Sequence, residues 1–131
     1  MNATQHLIFI DSGLSDFSSI VENLPEGSTW FKIDGSSDGI LEMESIAQNY
    51  SDLSSIQIVS HGTTGQLTLG STVLSSSNLS TYESSLAEIG KSLSSSGDIL
   101  VYGCNVASNE MGEKFIEGIA EYTLADVAAS S

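Results

Sequence analysis

The sequence predicts an α/β domain in which a mostly parallel central sheet lies between two layers of helices, a three-layer sandwich. Short apolar runs bounded by turn residues recur along the chain, as is typical of buried strands. Segments with apolar residues at helical spacing separate these runs. The first half therefore alternates β-α-β-α-β, and this alternation is typical of parallel sheets with helices on both faces.

The first sixty residues carry the alternating pattern. Predicted strands end at turn signals such as Asp11-Ser12-Gly13 and Asp34-Gly35, and Asp38 is the predicted cap of the second helix. In chain order the predicted elements are a strand at 7–10, a helix with apolar positions Phe17, Ile20, Val21 and Leu24, a strand at 29–33, a helix with apolar positions Ile40, Met43, Ala47 and Tyr50, and a strand at 55–60.

The pattern changes after residue 61. Two apolar runs at 66–69 and 72–74 flank Gly70-Ser71, and a Gly-Ser pair suits the two-residue turn of a hairpin. The serine run at 94–96 is predicted to be a loop. The remaining predicted elements are a helix opened by a capping box at 80–83, a strand at 99–102, a helix with apolar positions Met111, Phe115, Ile119 and Tyr122, and a strand from Ala125 to Ala128.

Length and composition limit the organisation of the chain. With 131 residues, 40% of them apolar, the chain is predicted to form a single domain over residues 1–131 with a real core and no extensive disorder. Because it ends on a strand-like segment, we expect it to be part of a larger protein. The N-terminus lacks a basic segment, and no apolar run is long enough for a signal peptide or a membrane span.

The charge argues against several classes of partner. The net charge is -14, with three lysines and no arginine, so the chain should repel nucleic acid, anionic membrane surfaces and polyphosphates. The sequence has no zinc-ligand spacing and no Gly-rich phosphate loop, so no metal or other cofactor is expected. Calcium is compatible with the acidity, but no EF-hand loop or dense Asp-x-Asp string supports it.

The only cysteine and one of the two histidines occupy equivalent positions in the predicted fold. Cys104 comes just after the strand at 99–102, and His61 just after the strand at 55–60. Functional groups of open parallel sheets collect beyond the carboxyl ends of the strands, so on neighbouring strands the imidazole could deprotonate the thiol. The backbone amides of Gly62 and Cys104 are candidate oxyanion donors. The alternatives are a small buried cysteine and a histidine that only hydrogen-bonds in a turn.

Two short motifs, Ser60-His61-Gly62 and Gly103-Cys104, each follow an apolar strand. This arrangement resembles the clan CD cysteine peptidases, which include caspases, gingipains, clostripain, separase, legumain and the self-cleaving domains of large bacterial toxins. Nearly the whole chain also resembles a bacterial domain of unknown function found near the start of giant secreted surface proteins with cadherin-like or calcium-binding repeats. The segments that carry this second resemblance are Ile10-Asp11-Ser12, 58–62, 102–107 and 125–130.

The resemblance implies a caspase-like sandwich with a flavodoxin-like core, located outside the cell or on its surface within a larger exported protein. It implies that Cys104 is the nucleophile, that His61 is the general base or acid, and that the amides of Gly62 and Cys104 bind the oxyanion. The partner would be a peptide substrate, which could be the parent polypeptide itself, and the reaction would be acylation of the thiol followed by hydrolysis.

The resemblance also points to Asp11, directly after the first strand, as a substrate-pocket residue. An acidic wall there would favour Lys or Arg in the substrate, and the lack of arginine argues against a caspase-type pocket for acidic side chains. The alternative is that Asp11 caps the turn into the first helix.

The leading hypothesis is therefore a cysteine endopeptidase domain with a His61/Cys104 dyad that processes its own parent chain. The second is a catalytically inactive module of the same fold that serves secretion, assembly or cell-surface adhesion. The third is a flavodoxin-like binding or signalling domain, because fold alone does not determine function. This third hypothesis needs an anion site, for which the sequence offers few basic residues.

Overall fold

Two β-sheets and three complete α-helices make up the part of the protein that the structure describes. The structure is a computed structural model, and it describes residues 5–13, 21–60, 62–63, 65–102 and 110–129. The strands are β1 (His6–Asp11), β2 (Ser28–Ile33), β3 (Leu53–Val59), β4 (Gly62–Thr63), β5 (Gln66–Leu69), β6 (Thr72–Ser75), β7 (Leu93–Tyr102) and β8 (Asp126–Ala129). The helices are α1 (Gly39–Ala47), α2 (Glu83–Gly90), which follows a 3₁₀ turn at Leu79–Tyr82, and α3 (Glu110–Thr123).

The main sheet has five strands in the order β2-β1-β3-β7-β8, and every neighbouring pair is parallel. Numbered within this sheet alone, the strand order is 2-1-3-4-5, which is the order of the flavodoxin-type doubly wound sheets. The predicted α/β class with a parallel central sheet is confirmed.

The centre of the main sheet is buried on both faces. The four apolar residues at 7–10 of β1 are all 0% exposed, as expected of a parallel strand between two layers. The edge strand β2 instead alternates, with Phe31 and Ile33 directed inward while Trp30 is 37% exposed and Lys32 is exposed. The apolar run that predicted β1 is thus buried throughout, whereas β2 is buried on one side only.

The three complete helices share one core with one face of the main sheet, which we call the first face. This core is a single cluster that joins the strand residues Leu7, Phe9, Ile56, Ile58, Ile99 and Val101 to the helix residues Ile40, Met43, Ala47, Leu86, Ile89, Phe115, Ile116 and Ile119. The topology explains the shared face, because the connections through α1, α2 and α3 all cross the sheet in the same direction and such crossovers are right-handed.

The β1–β2 connection runs in the opposite direction, so a right-handed crossover places it on the other face of the sheet, the second face. Residues 23–25 of this connection line a cavity with Gln57, Val59 and Tyr102 of that face. Half of the helix predicted from Phe17 to Leu24, residues 17–20, lies outside the described residues. Of the other half, Val21 and Glu22 are helical, whereas Asn23 and Leu24 are not. Both faces of the main sheet are therefore in contact with other segments of the chain: the helices on the first face, and the β1–β2 connection on the second.

The predicted hairpin is confirmed and is part of a second, antiparallel sheet, β4-β5-β6, which we call the small sheet. Leu69 pairs with Thr72, which leaves Gly70 and Ser71 as the two-residue turn. Strand β4 was not predicted, because Gly62–Thr63 is too short to show an alternating pattern.

The serine run at 94–96 is not a loop but belongs to β7, so this prediction is wrong. Leu93 pairs with Leu53, and the next pair is Asp98 with Ser55, so the serines fall in an irregular stretch between two paired positions. The pairing of Leu93 and Asp98 with β3, on either side of the run, keeps the serines within the strand, although their polar side chains carry no strand signal of their own.

The capping box at 80–83 is also wrong. Helix α2 begins at Glu83, and neither Tyr82 nor Asn78 makes a side-chain cap. The residues before the helix form a 3₁₀ turn instead, in which Leu79 is buried in the core. Tertiary contacts therefore override the local capping pattern.

Candidate functional site

The carboxyl ends of β3 and β7 lie side by side at one edge of the main sheet. Val59 and Tyr102 are register partners, and the backbone N–H of Ser60 donates to the carbonyl oxygen of Tyr102 at 3.1 Å. We call these three residues the β3/β7 rim. They are the last described residues before His61 and before Gly103-Cys104.

His61 and Cys104 themselves lie outside the described residues, as does Gly103. The structure brings together the two strands that lead into them, which is the arrangement that the dyad hypothesis requires. The dyad itself stays a prediction.

Ser60 and Gly62 fix the chain on either side of His61. Ser60 is 4% exposed, and its Oγ donates to the carbonyl oxygen of Thr68 in β5. Gly62 pairs with Leu67 in the small sheet, and Leu67 is 0% exposed. The small sheet therefore holds both neighbours of His61. The proposed oxyanion donors are the amide of Gly62, which lies in β4, and that of Cys104, outside the described residues; their role stays a prediction.

Asp11 lies at the end of β1 and is 4% exposed. Its Oδ2 accepts from the backbone N–H of Gly13 at 3.0 Å, and its Oδ1 accepts from the backbone N–H of Gly70 at 2.8 Å. The first bond is the turn-capping role that the sequence left as an alternative. The second ties β1 to the hairpin turn. A basic substrate side chain would have to share a buried carboxylate that already accepts two backbone bonds, so the pocket role of Asp11 stays a prediction without a described contact to support it.

The hairpin turn is docked onto the connection between β2 and α1. The backbone N–H of Ser71 donates to the carbonyl oxygen of Ser37 at 2.7 Å, and Gly70 forms a β-bridge with Asp38. The approach is so close that a Cβ at Gly39 would lie 2.5 Å from the backbone of Leu69. A side chain at position 39 would therefore clash with the hairpin.

The docked hairpin contacts the chain at the topological switch point, the place between β1 and β3 where doubly wound proteins bind ligands. Asp11 at the end of β1 bonds to Gly70, and Ser60 after β3 bonds to Thr68. Both bonds join the main sheet to the β5–β6 hairpin of the small sheet. The protein's own hairpin therefore takes the position that a cofactor occupies in a flavodoxin-like binding domain, which weighs against the third hypothesis.

Asp38 joins α1, β6 and the 3₁₀ turn. It caps α1 as predicted, because Oδ1 accepts from Ile40 N–H at 3.0 Å and from Leu41 N–H at 3.4 Å. Its Oδ2 accepts from the hydroxyl of Tyr82 at 2.7 Å. Burial raises the pKa of Asp38, but hydrogen bonds from Tyr82, Thr72 and the two amides outweigh it, so this pKa lies below its ordinary value. The hydrogen bond to Asp38 raises the pKa of Tyr82, and a hydrogen bond with Thr72 partly opposes this rise.

Two cavities lie at opposite edges of the main sheet. One, of about 560 Å³, opens at the amino ends of β7 and β8 and is lined in part by Lys91, Gly97 and Asp126. The other, of about 500 Å³, lies on the second face and includes Val59 and Tyr102 of the β3/β7 rim. Of these two cavities, the second adjoins the β3/β7 rim.

Two further kinds of site are absent from the described ranges. Nowhere within them do three His, Cys, Asp or Glu side chains group closely enough to hold a metal ion. No helix among the described residues has both the length and the apolar character needed to cross a membrane.

The parallel sheet in the order 2-1-3-4-5, with a small sheet docked at its carboxyl edge, defines a doubly wound α/β domain. A family model described as a domain of unknown function, DUF4347, matches residues 7–131. The chain therefore belongs to the DUF4347 family. No curated protein matches the chain. The family match makes no statement about peptidases or surface proteins, so the resemblance to clan CD and to adhesin domains stays a prediction.

Proposed function

We propose that this domain is a caspase-like cysteine endopeptidase that acts within a large exported surface polypeptide. The observation that carries the proposal is the β3/β7 rim. The two strands that lead into His61 and Cys104 are parallel neighbours, and their last described residues are joined by the Ser60–Tyr102 backbone bond of 3.1 Å.

The proposed reaction is acyl transfer to the thiol. His61 removes the proton of Cys104, and the thiolate attacks the peptide carbonyl carbon. The amides of Gly62 and Cys104 would stabilise the oxyanion. The C–N bond breaks, and the amine leaves with the proton from His61. Water, deprotonated by His61, then cleaves the thioester and restores the thiol.

The charge distribution supports a peptide substrate rather than an anionic one. The net charge is -14, and one of the three lysines, Lys91, pairs with Glu88 at 2.9 Å. A field of this sign repels phosphorylated ligands but not a neutral or basic peptide.

Alkylation of the single thiol tests the dyad. We expect iodoacetamide at pH 6 to label native Cys104 about tenfold or more faster than an unperturbed thiol, because a paired imidazole lowers the thiol pKa. His61→Ala should remove this advantage. Because the chain has only one cysteine, mass spectrometry assigns the label without ambiguity.

The second histidine provides the matched control. His6 lies at the start of β1 and bonds Ser55 Oγ at 2.8 Å, at the opposite edge of the sheet from the rim. His6→Ala should leave the labelling rate unchanged. If His61→Ala labels as fast as the wild type, the dyad is excluded. If the thiol reacts only after unfolding, the inactive-module hypothesis replaces the proposal.

A further inference from the structure

The cavity on the second face begins at the β3/β7 rim. Val59 and Tyr102 are two of its lining residues, and each stands two positions before a residue of the proposed dyad. Strand alternation directs them away from the helix-covered core, because their neighbours Ile58 and Val101 are 6% and 1% exposed within that core. Tyr102 is 43% exposed, so its ring is accessible at the rim.

The described lining of this cavity carries no charged side chain. Its described walls are Leu24, Pro25, Val59 and the ring of Tyr102, with the neutral amides of Asn23 and Gln57. Its volume of about 500 Å³ is within the range of small-ligand sites. A charged side chain that entered would lose hydration without meeting an opposite charge among these six residues, whereas an apolar one would gain burial.

We infer that this cavity is a substrate subsite for an uncharged apolar or aromatic side chain, at or next to the residue whose carbonyl is attacked. The inference rests on the proposed function, since it assigns the cavity to the same peptide. It runs against the basic preference that Asp11 suggested from the sequence. The carboxylate of Asp11 is buried beneath the hairpin turn, while the rim cavity is open and its described walls carry no charge.

Binding without chemistry tests the cavity directly. The probes are N-acetyl amides of phenylalanine, leucine, lysine and aspartate, titrated into the whole protein and followed by NMR chemical shifts. We expect the phenylalanine and leucine probes to shift Leu24, Val59 and Tyr102, with affinity about tenfold or more above the two charged probes. Equal binding of the charged probes, or shifts that do not map to these residues, would overturn the inference.

Two exposed residues provide a matched pair of variants. Tyr102→Ala removes the ring wall and should weaken phenylalanine binding about tenfold. Val73→Ala in β6 is the control, because Val73 is 47% exposed, similar to Tyr102, and does not line the cavity. If Tyr102→Ala unfolds the protein, Val59→Thr changes the wall with little change of shape and should also weaken binding. Unchanged binding in every folded wall variant overturns the inference.

Covalent labelling separates failure of the subsite from failure of the dyad. Peptidyl chloromethyl ketones that carry the same four side chains at the reacting residue or the one before it should label Cys104 fastest with Phe or Leu. Rapid iodoacetamide labelling combined with no side-chain preference leaves the dyad in place and overturns the subsite. If Cys104 reacts with neither reagent, the proposed function fails, and the NMR titration alone decides whether the cavity binds apolar side chains.

Discussion

At the scale of single residues, Asp11 joins two parts of the chain that are 59 positions apart. Its carboxylate accepts one bond from the local turn at Gly13 and one from the hairpin at Gly70. Both donors are backbone amides, and the carboxylate is almost fully buried. Loss of this acceptor removes the partner of the Gly70 amide at a half-buried position, which is costly.

We therefore expect Asp11→Ala to lower the free energy of unfolding by about 2 kcal/mol. Urea denaturation followed by the fluorescence of Trp30 measures the change. Asp34→Ala is the control, because Asp34 also accepts two bonds, from the N–H and the Oγ of Ser36, but is exposed. Water can replace those bonds, so Asp34→Ala should lower the free energy of unfolding much less than Asp11→Ala. Equal losses at the two positions would show that the contact with Gly70 contributes nothing.

At the scale of elements, docking of the hairpin depends on the backbone of Gly70. Its φ is +64°, a conformation that L side chains rarely adopt, and a Cβ there would lie 2.2 Å from the carbonyl oxygen of Ser37. Replacement by alanine would add both backbone strain and a steric clash with a neighbouring segment.

Gly70→Ala should destabilise the protein more than Gly27→Ala. Gly27 has a φ of +82° and lies outside the small sheet, so its substitution measures the backbone strain, about 1 kcal/mol. The additional loss of stability in Gly70→Ala, beyond that in Gly27→Ala, measures the contribution of the docking contact. Hydrogen exchange adds a local readout, because the amides of Gly70 and Ser71 should lose protection while those of β1 keep it. If the two variants lose equal stability and the hairpin amides stay protected, the turn is not held by this contact.

The hairpin and the strands of the main sheet, apart from the serine run of β7, could be predicted because each carries a local signal. The fully buried run at 7–10 and the Gly70-Ser71 turn both follow from the order of residues alone. Right-handed crossovers limit the possible topologies, but the sequence left open whether β3 and β7 are neighbours. The parallel pairing of these two strands in the structure meets that condition.

Contacts between distant parts of the chain could not be predicted in the same way. Asp11–Gly70 and Asp38–Tyr82 join positions 59 and 44 residues apart, and neither leaves a periodic pattern. Met111 shows the limit of periodicity, because it fits the predicted apolar face of α3 and yet is 61% exposed. It lies beside the glycine of the β4–β5 turn, Gly65, and not over the sheet.

At the scale of the whole molecule, the small sheet covers part of the carboxyl edge of the main sheet. At the carboxyl edge, the small sheet contacts β1 through Asp11 and the end of β3 through Ser60. The β3/β7 rim and its cavity lie beside this cover. A peptide that reached the rim would therefore pass over β3 and β7, away from the switch point.

The pH range of stability also belongs to this scale, because Asp38 links α1, β6 and the 3₁₀ turn. The pKa of Asp38 is lower in the folded protein than its ordinary value of 3.8. The stability that Asp38 contributes is thus fully present above pH 3.8, and it is lost as the pH falls through the pKa of Asp38 in the folded protein. The pKa of Tyr82 is raised from 10.0, so its contribution is complete below pH 10.0 and is lost as the pH rises through the higher folded value.

Asp38→Asn should flatten the acid side of the stability curve, because asparagine still caps α1 but does not titrate. The measurement is the free energy of unfolding from pH 6 to pH 2.5. Glu121→Gln removes the same charge from an exposed position of α3 and controls for the relief of repulsion in a chain of net charge -14. If Asp38→Asn has the same acid slope as Glu121→Gln, the Asp38–Tyr82 link does not set the acid limit.

Tyr82→Phe should lower the free energy of unfolding by about 1 kcal/mol at neutral pH and flatten the alkaline side of the stability curve above pH 10.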